Sequence, residues 1–235
     1  MSIDGYRIRI KDAISSVSGQ GDAIQKICED SCGTSIYCTL YERPFPFSNT
    51  TAANFPTKVF SMNLNIAKLD TYGADTEVNY GTTLFGHRAQ FRALVGYQPH
   101  IITDSGPAGI TDAGDTPGDA SVKLSAIGNL QISDSVKLQI QEQWRNTLKR
   151  GTLSSLVFGN GKIPAVSYTN MNLSYDQKSG FGAIQWFLTV KNMFNQQPVP
   201  WGGNTVQTVP GLFGGYVQGD DNVGRYYTVG MHLRL

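Results

Sequence analysis

The chain has 235 residues, and its 19 basic and 18 acidic side chains give a formal net charge of +1, which excludes a strongly basic surface for nucleic acid. Glycine is frequent, with 26 residues, and tyrosine and phenylalanine contribute 11 each. No apolar run approaches the roughly 20 residues of a transmembrane helix. Spanning strands are compatible with the mean hydropathy of -0.22, because their polar and apolar halves cancel.

The first residues already alternate as in a β-strand. Tyr6, Ile8 and Ile10 share one face, and the opposite face carries Arg7, Arg9 and Lys11. The basic start and apolar core of a signal peptide are missing from this segment. Because the rest of the pattern is that of an exported protein, we expect this sequence to be part of a longer one.

The same period of two recurs along the chain and predicts eight strands. After the first strand, the alternating segments are residues 71–80, 88–97, 121–132, 136–145, 170–176, 184–191 and 225–235. In the last segment, the apolar face consists of Tyr227, Val229, Met231, Leu233 and Leu235, and the polar face of Tyr226, Thr228, Gly230, His232 and Arg234. One acidic side chain, Glu142, falls on an apolar face, and we expect it near the rim of the sheet.

The connections between these segments alternate in length. They are long at about 13–65, short at 81–86, long at 98–119, tight at 133–135, medium at 149–164, short at 177–182 and long at 196–223. Outer-membrane barrels have this asymmetry, with short periplasmic turns and longer extracellular loops, whereas a sandwich has no reason for it. Aromatic residues of the apolar faces also lie towards strand ends, as interfacial girdles do. The pattern predicts an all-β fold, an antiparallel transmembrane β-barrel portion of about eight meandering strands.

Charged side chains on the polar faces fit a water-filled barrel interior, because they would be costly against lipid. They are Arg7, Arg9, Asp75, Glu77, Arg88, Arg92, Lys123, Lys137, Arg145, Lys191 and Arg234. Two alternatives remain open at this stage. One is a self-contained eight-stranded outer-membrane barrel, and the other is a soluble secreted β-sandwich that acts as a binding module.

Motifs for metal binding or catalysis are weak in this chain. Cys28, Cys32 and Cys38 have no fourth cysteine or nearby histidine, so a disulfide in an oxidising loop is favoured over zinc. The three aspartates of the 112–119 segment lack the spacing of an EF-hand, which indicates a solvated loop. No Ser-His-Asp arrangement, pair of catalytic carboxylates or phosphate-binding glycine loop stands out. We therefore expect neither an enzyme nor a cofactor.

Several segments resemble the family of TonB-dependent outer-membrane receptors. VKNMFNQQP at 190–198, a long loop and GRYYTVGMHLRL at 224–235 resemble the last two strands of these receptors, in which an NNLFD segment and a proline precede a closing GRxYxxG strand. DGYRIRIKDA at 4–13, LDTYGADTEVNY at 69–80 and SYTNMNLSY at 167–175 are similar to other strands of the family. The resemblance covers the chain in the family's order. It implies that residues 1–235 are one partial domain, the carboxy-terminal part of the barrel, without the plug and earlier strands.

The resemblance implies a receptor or transporter in the outer membrane of a Gram-negative bacterium. Its function would be TonB-energised uptake of a scarce nutrient, such as a ferric siderophore. The implied partners are outer-membrane lipid, a small nutrient ligand and the barrel-assembly machinery, with the TonB complex acting only through the missing plug. Similar loops in the family imply a disulfide between Cys28 and Cys38, which leaves Cys32 unpaired.

Two further expectations follow from the same resemblance. Trp201, Phe213 and Tyr216 lie among glycines in the last long loop, a composition suited to stacking on a planar ligand. The last strand would close the barrel and serve as its assembly signal, although Leu235 stands where the family usually has an aromatic residue.

Overall fold

The structure is a computed structural model that describes residues 1–106, 109–150, 161–179, 182–200, 216–217 and 219–234, with all side chains except those of residues 66, 179 and 234. Strands dominate these residues. In chain order the elements are β1 (Ser2–Ser18), α1 (Asp22–Asp30), the 3-10 helix η1 (Ile36–Leu40), β2 (Tyr41–Glu42), the 3-10 helix η2 (Ala52–Asn54), β3 (Lys58–Val59), β4 (Ser61–Leu84), β5 (His87–Asp104), β6 (Ile110–Asp112), β7 (Val122–Gln131), β8 (Val136–Arg145), β9 (Leu148–Lys149), β10 (Lys162–Ile163), β11 (Val166–Ser179), β12 (Gly182–Lys191) and β13 (Tyr226–Arg234).

Nine strands form one antiparallel sheet. Its order is β1-β4-β5-β7-β8-β11-β12-β13, and β6 pairs with β5. The eight strands of the main path correspond to the eight alternating segments, so the prediction of an all-β fold with eight meandering strands is confirmed. The first three are longer than predicted, at 17, 24 and 18 residues. Alternation did not reveal β6 or the short pairs β2-β3 and β9-β10, which lie within the long connections.

The chain divides into two compact units. The first unit consists of Met1–Tyr6, Tyr72–His100 and Ala113–Leu235, and the second of Arg7–Thr71 and Ile101–Asp112. Within the order of the described sheet, β1 and β13 stand at the two ends.

In the first unit, the strand register keeps each face of the sheet continuous. A row on one face joins Phe91, Gly128, Ile140, Met171, Val190 and Tyr227. The neighbouring row on the opposite face joins Gln90, Asn129, Gln139, Asn172, Thr189 and Thr228. Because successive residues point to opposite sides of a sheet, the alternation within each strand becomes one apolar face and one polar face across six strands.

Short turns connect the hairpins of the first unit. Phe85 and Gly86 join β4 to β5, and both have positive φ, at 53° and 79°. Two-residue hairpin turns of this kind match the right-handed twist of the strands that they join. In the turn between β7 and β8, the Ser133 side-chain oxygen accepts a hydrogen bond from the backbone N–H of Val136 at 3.2 Å.

The second unit has its own apolar core. Its fully buried members include Val17, Ile24, Cys28 and Leu40. Ile24 and Cys28 are one turn apart on α1, so they lie on the same face of the helix. The hydroxyl of Tyr41 donates to the carbonyl oxygen of Gly19 at 2.6 Å, which ties the middle of the connection between β1 and β4 to its beginning.

Candidate functional site

The polar face of the first unit borders a cavity of about 570 Å³. Side chains from β5, β7, β8, β11, β12 and β13 line it, because each strand contributes the polar half of its alternation to the same face. Most of the lining groups are amides and hydroxyls. The amide nitrogen of Gln139 donates to the amide oxygen of Asn129 at 2.9 Å, across β8 and β7. Amide side chains both donate and accept hydrogen bonds, so this wall suits an uncharged polar ligand.

One aromatic ring, Phe187, lies within this polar wall. It is the cross-strand partner of Gly230, and a Cβ atom on Gly230 would come within 2.4 Å of the ring. The ring also stacks on His232, with centroids 5.0 Å apart and planes 22° apart. The glycine therefore lets the ring lie flat against β13. The alternation analysis missed Phe187, because an apolar residue at a polar-face position carries no weight when the faces are counted.

Ion pairs join some of the opposite charges on the polar face. The Lys137 ammonium lies 3.1 Å from the carboxylate of Asp176, which also accepts from the amide of Gln185 at 2.7 Å. The Arg92 guanidinium donates to the carboxylate of Glu77 at 2.9 Å. These pairs reduce the net charge that a ligand on this face would meet.

A buried ion pair anchors the last long connection near its end. Arg145, the last residue of β8, donates to both carboxylate oxygens of Asp220, at 2.8 and 2.6 Å. The exposed fractions of the two side chains are 10% and 3%. Arg145 also donates to the backbone carbonyl oxygens of Asn146 and Pro164, at 3.1 and 2.9 Å. Because both ions are hydrogen-bonded and buried, they bind the connection firmly to the sheet.

Apolar side chains surround this anchor. Ala120, Leu148, Ile163 and Val217 form a buried cluster contributed by three different connections. A second cavity of about 420 Å³ lies here, lined in part by this cluster and by Tyr168. The sequence patterns indicated neither Asp220 nor this cluster, since its members come from three separate connections and lie outside the alternating segments.

Asp115 holds the preceding connection in place. Its carboxylate accepts from the amide of Asn146 at 2.7 Å and from the backbone N–H of Ser121 at 3.0 Å. Burial raises the pKa of the Asp115 carboxyl, but the hydrogen bonds from Asn146 and Ser121, together with the charge of Lys149, outweigh it, and the resulting pKa lies below its usual value. The solvated loop predicted for segment 112–119 is therefore wrong at this residue.

The opposite face of the sheet is apolar and open. The side chains of Tyr227, Val229, Met231 and Leu233 are exposed along β13, and Val229 is 74% exposed. Further exposed residues on this face are Phe91, Tyr97, Ile140, Tyr175 and Trp186. Monomeric soluble proteins rarely present a continuous apolar surface of this kind, because it would attract other apolar surfaces.

Polar groups on the apolar face are satisfied by neighbours. Glu142, the predicted exception, accepts hydrogen bonds from the hydroxyls of Ser167 and Thr169 on β11, the second at 2.5 Å. It lies three residues before the end of β8. In the middle of β12, the indole N–H of Trp186 donates to the side-chain oxygen of Gln177 on β11 at 3.1 Å. Polar atoms on this face thus have partners within the sheet.

The cysteines lie in the second unit. Cys28 and Cys38 form a disulfide with Cα atoms 5.0 Å apart, and Cys32 is free and exposed. Within the described ranges, no three His, Cys, Asp or Glu side chains are grouped as metal ligands.

The remaining residues singled out from the sequence are the basic pair of β1, the candidate ligand contacts of the last long connection and the final residue. Arg7 and Arg9 both donate to Asp70, at 2.6 Å for the closest Arg7 contact and 3.0 Å for Arg9. Tyr216 is half exposed and forms an isolated bridge with Pro200. The other two candidate ligand contacts, Trp201 and Phe213, and the final residue, Leu235, lie outside the described residues.

No family model and no curated protein matches this chain. In the described part of the chain, no helix has the length and apolar character needed to cross a membrane.

Proposed function

We propose that this chain is the carboxy-terminal part of the β-barrel of a TonB-dependent outer-membrane receptor. It would take part in TonB-energised uptake of a scarce nutrient, such as a ferric siderophore. The observation that supports this most is the exposed apolar face, on which Val229 is 74% exposed, on strands whose other face is polar. Water is a poor solvent for such a face, whereas a lipid bilayer covers it without cost.

Strand length also supports the proposal. A membrane-spanning strand needs about 9–11 residues. β7, β8 and β12 have 10 residues each and β13 has 9. Tyr227, the second residue of β13 and 61% exposed on the apolar face, suits the boundary between lipid and water.

Under this proposal, outer-membrane lipid would cover the apolar face, and the barrel-assembly machinery would insert the strands. The nutrient would be captured among the long connections, which Arg145 and Asp220 anchor to the sheet. The TonB complex would act only through a plug. A secreted sandwich would instead need a second large sheet over the apolar face, and the described residues form no second sheet of more than two strands.

A pair of adjacent substitutions on β13 tests the proposal. Val229→Arg places a charge on the apolar face, and Thr228→Arg places the same charge on the polar face. Arginine facing lipid costs about 2–4 kcal/mol at mid-membrane, so Val229→Arg should reduce insertion into vesicles strongly and Thr228→Arg should not. Insertion is measured by the fraction of refolded protein that floats with vesicles and migrates anomalously on unheated gels. Equal effects of the two variants, or a monomeric chain that needs no detergent, would overturn the proposal.

A further inference from the structure

We propose that the polar face around Phe187 is a binding surface for neutral oligosaccharides. The inference rests on the proposed function in one respect, namely that this face borders water rather than lipid. It concerns a different part of the molecule from the long connections, because every group that carries it lies on the strands β7, β8, β11, β12 or β13.

The first reason is the size and the composition of the cavity. Its volume of about 570 Å³ is within the range of small-molecule sites. Asn172 and Thr189 are cross-strand partners in its wall, and both are partly buried. Among the described residues, neither of these side chains hydrogen-bonds to another protein group. Their donors and acceptors are thus available to a ligand.

The second reason is the pairing that already exists within the wall. Gln139 uses its amide nitrogen to donate to Asn129, and among the described residues the amide oxygen of Gln139 and the amide nitrogen of Asn129 have no protein partner. An acceptor and a donor therefore remain on two neighbouring strands. Sugar hydroxyls both donate and accept hydrogen bonds, so a wall that offers both kinds of group matches them better than it matches an ion.

The third reason is the aromatic ring in this otherwise polar wall. Phe187 is held by two contacts, with Gly230 beneath it and His232 stacked against it. A pyranose ring presents C–H groups on its face and hydroxyls around its edge. An aromatic ring surrounded by amides and hydroxyls complements both parts, because the C–H face packs on the ring while the hydroxyls reach the polar side chains.

The charge of the wall favours a neutral ligand over an anionic one. Lys137, on the strand row of Phe187, is already paired with Asp176, and Asp176 also holds Gln185. A carboxylate or ferric chelate placed on the ring would therefore find Lys137 already engaged. Arg88, which also lines the cavity, stands four strands away from the ring, on β5. A neutral sugar requires no such partner.

The test uses the full chain refolded in a detergent without a sugar headgroup, such as lauryldimethylamine oxide. Isothermal titration calorimetry measures binding of maltohexaose, cellohexaose and mannohexaose, with an oligoglutamate peptide as the charged probe. We expect at least one neutral hexasaccharide to bind and the peptide not to bind. Folding and membrane insertion are followed separately, so a sugar-binding chain that fails to insert would count against the proposed function alone.

Variants assign the binding to this face. Phe187→Leu keeps an apolar side chain over Gly230 but removes the ring, and we expect sugar binding to weaken about tenfold. Trp186→Leu is the matched control, because Trp186 is adjacent in sequence and lies on the apolar face. The sugar affinity of this variant should stay within about twofold of that of the wild type. If Phe187→Leu does not fold, Asn172→Ala replaces it, with Leu173→Ala on the opposite face as its control. Absence of binding of all three sugars by folded wild-type chain, binding of the peptide alone, or equal losses in variant and control would overturn the inference.

Discussion

The guanidinium of Arg145 and the carboxylate of Asp220 form two parallel hydrogen bonds, although the residues are 75 positions apart in sequence. Arg145 ends β8, and Asp220 belongs to the long connection before β13. Because both side chains are almost completely buried, neither charge can fall back on water when the other is removed. The pair thus decides where the end of that connection lies on the first unit.

We expect Asp220→Ala to destabilise the first unit by about 3–5 kcal/mol, because it leaves a buried guanidinium without its anion. The double variant Arg145→Met with Asp220→Leu should lose less stability than Asp220→Ala, since it leaves no buried charge without a partner. The free energies of unfolding in urea, measured in detergent, check both. Lys137→Met is the control, and its exposed pair with Asp176 should contribute no more than about 1 kcal/mol. A similar loss for the exposed and the buried pair would contradict this account.

The Asp115 carboxylate should make stability depend on pH in the acidic range. Its pKa in the folded chain is lowered, so the folded state favours the charged form more than the unfolded state does. The stabilisation is therefore present above the unfolded pKa of about 3.9 and is lost as the pH falls through the lower folded value.

The variant Asp115→Asn isolates this dependence. The difference between the urea midpoints of wild type and variant should be largest near neutral pH and should shrink as the pH falls below about 3.9. If the difference between the two midpoints stays constant over this pH range, the charge of Asp115 does not contribute to the pH dependence of stability. Asp119→Asn, in the same segment, serves as a control.

Phe85 offers a stabilising substitution. It is 93% exposed and has a φ of 53°, a backbone region that bulky residues adopt at a cost. Phe85→Asn should stabilise the chain by about 0.5–1 kcal/mol, because asparagine tolerates this conformation and almost no packing is lost. Thermal unfolding in detergent provides the measurement. Phe85→Leu also removes the exposed ring but has no preference for positive φ, so an equal gain in that variant would contradict the explanation.

The disulfide should stabilise the second unit. Cys28 and Cys38 are separated by 10 positions and lie in its buried core. Replacing both with alanine should cost about 2–3 kcal/mol, mainly through the greater freedom of the unfolded segment. Thermolysin should then cut within residues 19–60 faster, as followed by mass spectrometry of the fragments. Cys32→Ser, which changes only the exposed thiol, should leave the cleavage rate unchanged, and acceleration by that variant would point to another role for Cys32.

Much of the sheet could be predicted from local pattern. A period of two defines a strand and its two faces without reference to any other part of the chain, and the 136–145 segment was recovered with the bounds of β8. The long connections were harder, because α1 and β2 contribute to a core that also includes Val17 of β1 and Leu40 of η1, so it is assembled from several elements at once. Glu142 is a second example of a feature that alternation alone did not explain. The pattern marked its carboxylate as an exception on the apolar face, whereas the structure shows that two hydroxyls on the neighbouring strand β11 donate to it.

Alternation of side chains and of connection lengths was thus sufficient for the class of fold, for the number of main strands and for which residues share a face, because these properties follow from the backbone geometry of a single strand. Register was not encoded locally. The stacking of Phe187 on His232, the amide row with Asn172 and the burial of Asp220 against Arg145 each require a particular alignment of strands or connections far apart in sequence. Such contacts arise from packing between segments, and a pattern read along one segment contains no information about its neighbours.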